Sequence, residues 1–467
     1  MTQAVLAYAY RHPSAVLAAP DGPRLALATS GGTGPLGATA HPHFFTGALT
    51  APAAAAAGLL AVADVAATRY HQPQRPVLLD PVVTANGDRL RFESFSACCG
   101  VYARLDVTAE GLAGAEPGHG TTNVDVNHPL REALSRIGST DALRLSVGAE
   151  ELAVTGPEGP LLEKKVPLPE RWVRGFAETQ VVAAGFDLRA ELPAAEAVRF
   201  LRSLPRGGQA ANGRGGSRGP VGWVLPGPGG RTLRPATRPA PGAVCLPGPE
   251  RLTALQRVLR HALALRVYGP PVTAGAAPSA SAWEVVLPAG MRLTLTLSPD
   301  VSRGFSGEGG VLTALTGGPS EADAELVSVL LAWEPRIDPA ELAREAGLPV
   351  ERVRAALVRL GTAGQVGYDT AEASYFHRRL PYHAGRAEAD NPRLRAARAL
   401  VAAGAVHRSG PIATVTVEDH EQRVRIAEDG RLSCTCLWWA KYRGGRGPCK
   451  HALAVTLTTT PEKQPTP

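Results

Sequence analysis

The sequence has no apolar run of membrane-spanning length. Its most apolar stretch, Ala51 to Ala67, is mostly alanine and is interrupted by Asp64. That reads as a soluble helix, not a bilayer span. The start, Met1-Thr2-Gln3-Ala4, lacks the basic region of a secretory leader. Aromatic residues make up only 5% of the chain, so its cores must be aliphatic and rich in alanine. The six cysteines are too few and too unevenly spaced for a disulfide framework, which fits a reducing cytosol. The sequence also lacks a His-Glu-x-x-His pair and a nucleotide-binding loop. Gly31, Gly32, Gly34 and Gly37 are not followed by Gly-Lys-Ser/Thr. The expectation is a cytoplasmic protein, not an enzyme, with no membrane association.

Among what is present, length comes first. A chain of 467 residues is enough for several domains and a sizeable core. Positive charge is concentrated in two places. Residues 391–467 hold 12 Lys/Arg against 6 Asp/Glu, and residues 206–240 hold 6 Arg and no acid. Against a total of +7, the rest of the chain is net acidic. Such polarisation is a footprint of nucleic acid or an acidic partner. The bland alternative is that arginine accompanies alanine, glycine and proline in a chain of this composition.

The most informative stretch lies near the C-terminus. Cys434-Thr435-Cys436 is followed by Cys449-Lys450-His451. Three thiols and one imidazole complete a tetrahedral zinc shell, leaving no coordination position for water or substrate. Cys434 and Cys436 fall on one face if extended. Two alternating runs precede them, Ile412–Val417 and Gln422–Ile426. A helix follows from His451. The order Cys-x-Cys, spacer, Cys-x-His resembles the SWIM zinc finger over residues 410 to 460. That resemblance implies one structural Zn2+ on Cys434, Cys436, Cys449 and His451. It implies an interaction role and no reaction. Within the spacer, Trp438 and Trp439 could cover the metal or stack on a partner, and Lys441, Arg443 and Arg446 are candidate partner contacts.

A second constellation spans 320–382. Helical patterns cover Glu321–Trp333, Ala340–Ala346 behind an Asp338-Pro339 cap, and Val350–Leu360. Strand-like runs follow from Gly364 and Ala373. This order resembles the winged helix-turn-helix. The resemblance makes the third helix a recognition helix that exposes Glu351, Arg352, Arg354 and Arg359 to phosphates or base edges.

The expected architecture is α+β and multidomain. An N-terminal α/β segment covers 1–74 and a β-rich scaffold domain covers 75–205. Its strand–helix–strand order over 75–165 is similar in pattern to one domain of a sliding clamp. A basic Gly/Pro-rich linker follows over 206–248, then a helix plus hairpin over 249–319. The winged-helix-like module covers 320–382, a connecting helix 391–410, a small ββα zinc finger 411–460 and a tail 461–467. The function expected is scaffolding with protein partners through the finger and the helical module. The alternative is DNA binding through both.

Overall fold

The computed structural model describes residues 9–10, 12–18, 22–70, 80–139, 141–148, 163–164, 168–204, 221–312, 321–380, 391–418, 420–428 and 430–459. Their fold is mixed α+β, with several sheets. The largest sheet has ten strands, in the order 187–193, 264–269, 281–286, 292–297, 101–108, 89–95, 82–86, 119–123, 32–34 and 37–39. Every neighbouring pair is antiparallel. A five-stranded sheet joins 112–114, 45–49, 143–147, 24–27 and 15–17. Asn86 and Gly87 make the expected tight turn, with Gly87 at φ 82°.

Four helices follow the N-terminal strands in chain order: α1 (Pro52–Ala67), α2 (His128–Ser135), α3 (Glu170–Ala183) and α4 (Ala194–Ser203). Helix α1 is buried almost all round, which its alanines permit. A side chain at Gly58 would meet Leu105 Cδ1 at 2.7 Å, so the helix lies directly on the strand Val101–Thr108. Strand alternation decides the two faces of the sheet. Leu90, Phe92, Ala103, Leu105, Leu293 and Leu295 point into the main core under α1. Arg91, Glu93, Arg104, Asp106 and Arg292, one residue out of phase, point the other way, and they too are buried.

What buries that charged face is the segment 321–380. Helices α5 (Glu321–Leu330), α6 (Pro339–Ala346) and α7 (Val350–Thr362) enclose a core of Ala324, Val327, Leu342, Val353, Leu357 and Leu360. Asp338 caps α6 by accepting from Ala340 N at 2.7 Å, and Gly347 ends it at φ 63°. The hairpin Val366–Asp369 with Ser374–His377 completes the unit. The helices and hairpin occur in the expected order, but the hairpin does not stand free. It lies against the sheet: Arg104 donates to Tyr368 O at 2.7 Å and pairs with Asp369 at 2.8 Å.

Several expectations need correction. Within the domain expected as β-rich, residues 181–192 do not form a pair of strands. Helix α3 runs on to Ala183, held by Val181 and Val182 packing inward, and only Asp187–Pro193 is a strand. Residues 221–247, expected as linker, form a three-stranded sheet of 221–226, 233–236 and 244–247. The preceding 205–220 lie outside the described residues, as do the strand-like runs at 77–79 and 152–154. Within the segment expected as helix plus hairpin, the helical pattern over 249–267 is two 3-10 helices ending at His261, then a strand, Ala264–Gly269. Leu265 and Val267 alternate into the core, which leaves Leu263 55% exposed. Helix α5 stops at Leu330, not Trp333, because Ala332 and Trp333 take positive φ of 39° and 63°. Leu326 and Val329 face outward, while Ala324, Val327 and Leu331 face in.

Candidate metal centre

The zinc ligands sit where three elements meet. The strand Leu432–Cys434 is the last of a four-stranded sheet, in the order 406–409, 412–417, 420–426 and 432–434. Its core is Ala413, Val415 and Val424 against Ala452 and Val455. Cys434 closes that strand. Cys436 does not continue it, contrary to the expectation of one extended face. It is instead the N-cap of a short helix unforeseen in the spacer. Helix α8 (Pro392–Ala402) precedes the sheet, α9 (Leu437–Tyr442) is that short helix, and α10 (Lys450–Thr459) carries His451 in its first turn.

Two of the thiols lie at helix N-termini. Cys436 Sγ accepts from Trp439 N at 3.5 Å, and Cys449 Sγ accepts from Ala452 N at 3.4 Å. Free N–H groups and the positive end of the helix dipole favour a thiolate there. Hydrogen bonding from Cys434 and His451 holds the Cys449 thiol down at about 4, against burial, while the Cys434 thiol is pushed up by the same shared bond and by burial. Crowded thiols of this kind share protons until a cation replaces them.

The four donors fit zinc. All lie within 4.8 Å of one another, and Cys434 Sγ is 3.7 Å from His451 Nδ1. A tetrahedral zinc with bonds of about 2.0–2.3 Å sets its donors about 3.6 Å apart. All four are buried, the most exposed at 7%. Cys434, Cys436, Cys449 and His451 hold one structural zinc ion, which cross-links strand, short helix and long helix. Among the described residues this is the one such group of three or more His, Cys, Asp or Glu. Cys98 and Cys99 do not extend to a third ligand. Cys99 is buried at φ 58° with its thiol on Arg171 O, and Cys98 is partly exposed beside Ser96 Oγ at 3.4 Å.

The spacer also seats the finger on the rest of the protein. Arg393 of α8 donates to Arg446 O at 2.7 Å, Pro448 O at 3.1 Å and Glu308 O at 2.7 Å. Arg446 donates to Gly307 O and pairs with Glu308 at 3.5 Å. Both guanidiniums lie over Trp438, at 4.6 and 5.2 Å from its ring centre. Trp438 thus serves the seam between the finger and the 303–309 loop. Trp439 is half-buried against the metal core.

The other expected contact residues divide. Arg352 donates from Nε to Asp323 Oδ2 at 2.8 Å, and Arg359 pairs with Glu321 at 3.6 Å. Both tie α7 back to α5. Arg354, Lys441 and Arg443 are exposed. The basic face read from the sequence is therefore partly spent within the protein.

Sequence reasoning missed a second polar centre, the charged face of the ten-stranded sheet. Asp106 stands opposite Arg91 on one side and Arg292 on the other. Arg104 contacts Asp106 and Asp369, each at 2.8 Å, and Arg292 contacts Asp369 at 2.8 Å. Arg378 pairs with Glu93, and Arg91 lies 4.0 Å over the Phe376 ring. The signal was there: charged residues alternate in register on three neighbouring strands. Alternation alone cannot distinguish a wet face from a second interface.

Residues 415–459 match the SWIM zinc finger family. No curated protein matches the chain. Among solved structures the chain is similar to the proliferating cellular nuclear antigen of Entamoeba histolytica. The identity is 10%, the TM-score 0.32, and the match covers 55% of this chain and 98% of that one.

Proposed function

We propose that the protein is a non-catalytic, zinc-dependent scaffold that assembles with protein partners through its SWIM finger and its 321–380 module. The observation that carries this reading is how the finger is mounted. The metal fixes α9 and the Arg446 loop, and that loop is the finger's seat on the body of the protein. A closed ligand set gives the zinc a structural task and leaves it no site for water. On the outward side, α9 presents Leu437, Lys441 and Arg443 to solvent. No described helix is long and apolar enough to cross a membrane, and three liganding thiols suit a reducing compartment, which supports a cytoplasmic setting.

DNA binding through the winged-helix order is less well supported. Two of the three arginines expected on the recognition helix are paired to α5 acids. The hairpin that would act as a wing is covered by the sheet. The two readings separate in one experiment on the full chain. Fluorescence anisotropy with random duplex at low salt, repeated as salt rises, should show no steep salt-dependent binding. Affinity capture from native extract should recover a protein that is lost with Cys436→Ser and kept with Arg352→Ala/Arg359→Ala. Tight duplex binding that those two arginine substitutions weaken would overturn the proposal.

A further inference from the structure

The outward turn of Leu326 and Val329 leaves an apolar stripe on α5, with the two side chains 42% and 79% exposed. Beside it, bordered by Leu330, a cleft of about 290 Å3 runs between α5 and α6 over Ile337 and Leu342. Its rim is acidic: Glu334, Asp338, Glu341 and Glu345 line it. Arg336 at the rim is turned to Glu372 at 3.3 Å, and exposed Arg344 lies 3.7 Å from Glu341, so the acids outnumber the cations that meet them. Exposed apolar side chains flanked by one sign of charge mark an interaction face and set the sign of what it takes.

The complementary surface lies on the same chain. Leu437 opens α9 and is 89% exposed, and Lys441, one helical turn on, lies on the same outward face. Arg443, also exposed, follows at φ 46°. An apolar knob beside two cations matches an exposed apolar stripe, Leu326 and Val329, beside an acidic cleft.

We propose that the α5–α6 cleft docks the α9 knob of a second copy of this chain. The contact joins two different patches, so it is heterologous: each copy offers a cleft to one neighbour and a knob to another. Such contacts close into rings or grow into open assemblies. This rests on the reading of the finger as an interaction module and names its first partner.

The test uses sedimentation velocity on the full-length, zinc-loaded chain across a concentration series. The mass should rise above that of one 48.6 kDa chain and fall back as salt screens the contact. Glu341→Lys/Glu345→Lys, which spoils the cleft, should be monomeric. Lys441→Glu/Arg443→Glu, which spoils the knob, should be monomeric too. All four positions are exposed, and one zinc per chain in each variant checks that the finger is intact. Mixing the two variants pairs the intact cleft of one with the intact knob of the other, so a complex of two chains should form. A wild-type chain that stays monomeric at the highest concentration and lowest salt overturns the proposal. So does self-association that neither variant weakens, or a mixture that forms no complex. Capture of a different protein through the finger would persist in those cases, so failure here is distinguishable from failure of the scaffold reading.

Discussion

Asp369→Ala should loosen the 366–377 hairpin from the ten-stranded sheet without unfolding either. The Asp369 carboxylate is fully buried and lies 2.8 Å from both Arg104 and Arg292. Burial alone would raise its pKa, but the guanidiniums of Arg104 and Arg292 hold it well below the usual carboxylate range. Removing one partner of a buried ion pair costs about 3–5 kcal/mol, because the remaining charge is left desolvated and uncompensated. The lower end applies here. Arg104 keeps Asp106 at 2.8 Å and Tyr368 O at 2.7 Å, and Arg292 keeps Glu372 at 3.1 Å. A cost of about 3 kcal/mol corresponds to local opening that is on the order of 100-fold more frequent. Native-state hydrogen exchange of the amides in 366–369 and 374–377 measures it, with α1 as the unaffected reference. Arg292→Met in the Asp369→Ala background should cost far less than Arg292→Met alone, since the two act as one network. Additive effects within about 0.5 kcal/mol, or unchanged hairpin exchange in Asp369→Ala, would refute the reasoning.

Further expectations follow from other sites. Cys436→Ser should take zinc content from one per chain to none and strip exchange protection from 412–434 and 450–459, while strands 89–95 and 101–108 keep theirs. His377 is buried, accepts from Trp333 N at 2.8 Å through Nδ1, and is held down to about 3 by desolvation. Its folded value lies below its unfolded one, so it contributes stability above pH 6.5 that is lost as pH falls toward 3. At pH 5 the loss is up to about 2 kcal/mol, and His377→Gln should flatten that limb of a urea titration. Glu178 opposes it. Burial raises its carboxyl to about 7 despite donors from Gly310 N and Val311 N, so its contribution is present at low pH and lost as pH rises through 7. Glu178→Gln should remove that slope from a urea titration between pH 5 and 8, at the cost of one of the two bonds from Gly310 N and Val311 N, since an amide Nε2 cannot accept. Arg393→Lys should loosen the finger's seat by about 2 kcal/mol with zinc content unchanged, read as faster exchange in α8 and α10.

The zinc centre was legible because coordination chemistry is local. Four donors at fixed spacing leave one geometry, and the flanking alternation of Ile412–Val417 confirms the strand. The Asp338 cap and the Gly347 stop were legible for the same reason: each is a short-range hydrogen-bonding rule. What escaped depended on distant partners. Leu326 and Val329 look like core at helical spacing, yet Ala324, Val327 and Leu331 take the inward face and leave these two exposed. Residues 249–267 carry a helical stripe, but Leu265 and Val267 are claimed by a gap between two strands. Arg91 and Arg104 simply alternate with apolar residues along their strands, and nothing near them in sequence reveals the hairpin more than 250 residues further on that covers them. The arginines at 352, 359 and 446 show the same limit: charge counted along a chain is not charge offered to a partner.

A common device links these seams. Where one unit meets another, the contact is an arginine that reaches backbone carbonyls or a carboxylate while its plane lies on a ring. Arg91 and Arg378 do so on Phe376 and Phe176, and Arg393 and Arg446 do so on Trp438. A chain with few aromatics places them where a planar, permanently charged guanidinium can use the ring face and still spend its donors sideways. Lysine offers neither the plane nor the fork. The arginines are not alone at the finger's seam: Leu394, Ala397, Leu453 and Ala454 are buried there against Val311, Leu312 and Val358, so opening it exposes apolar surface.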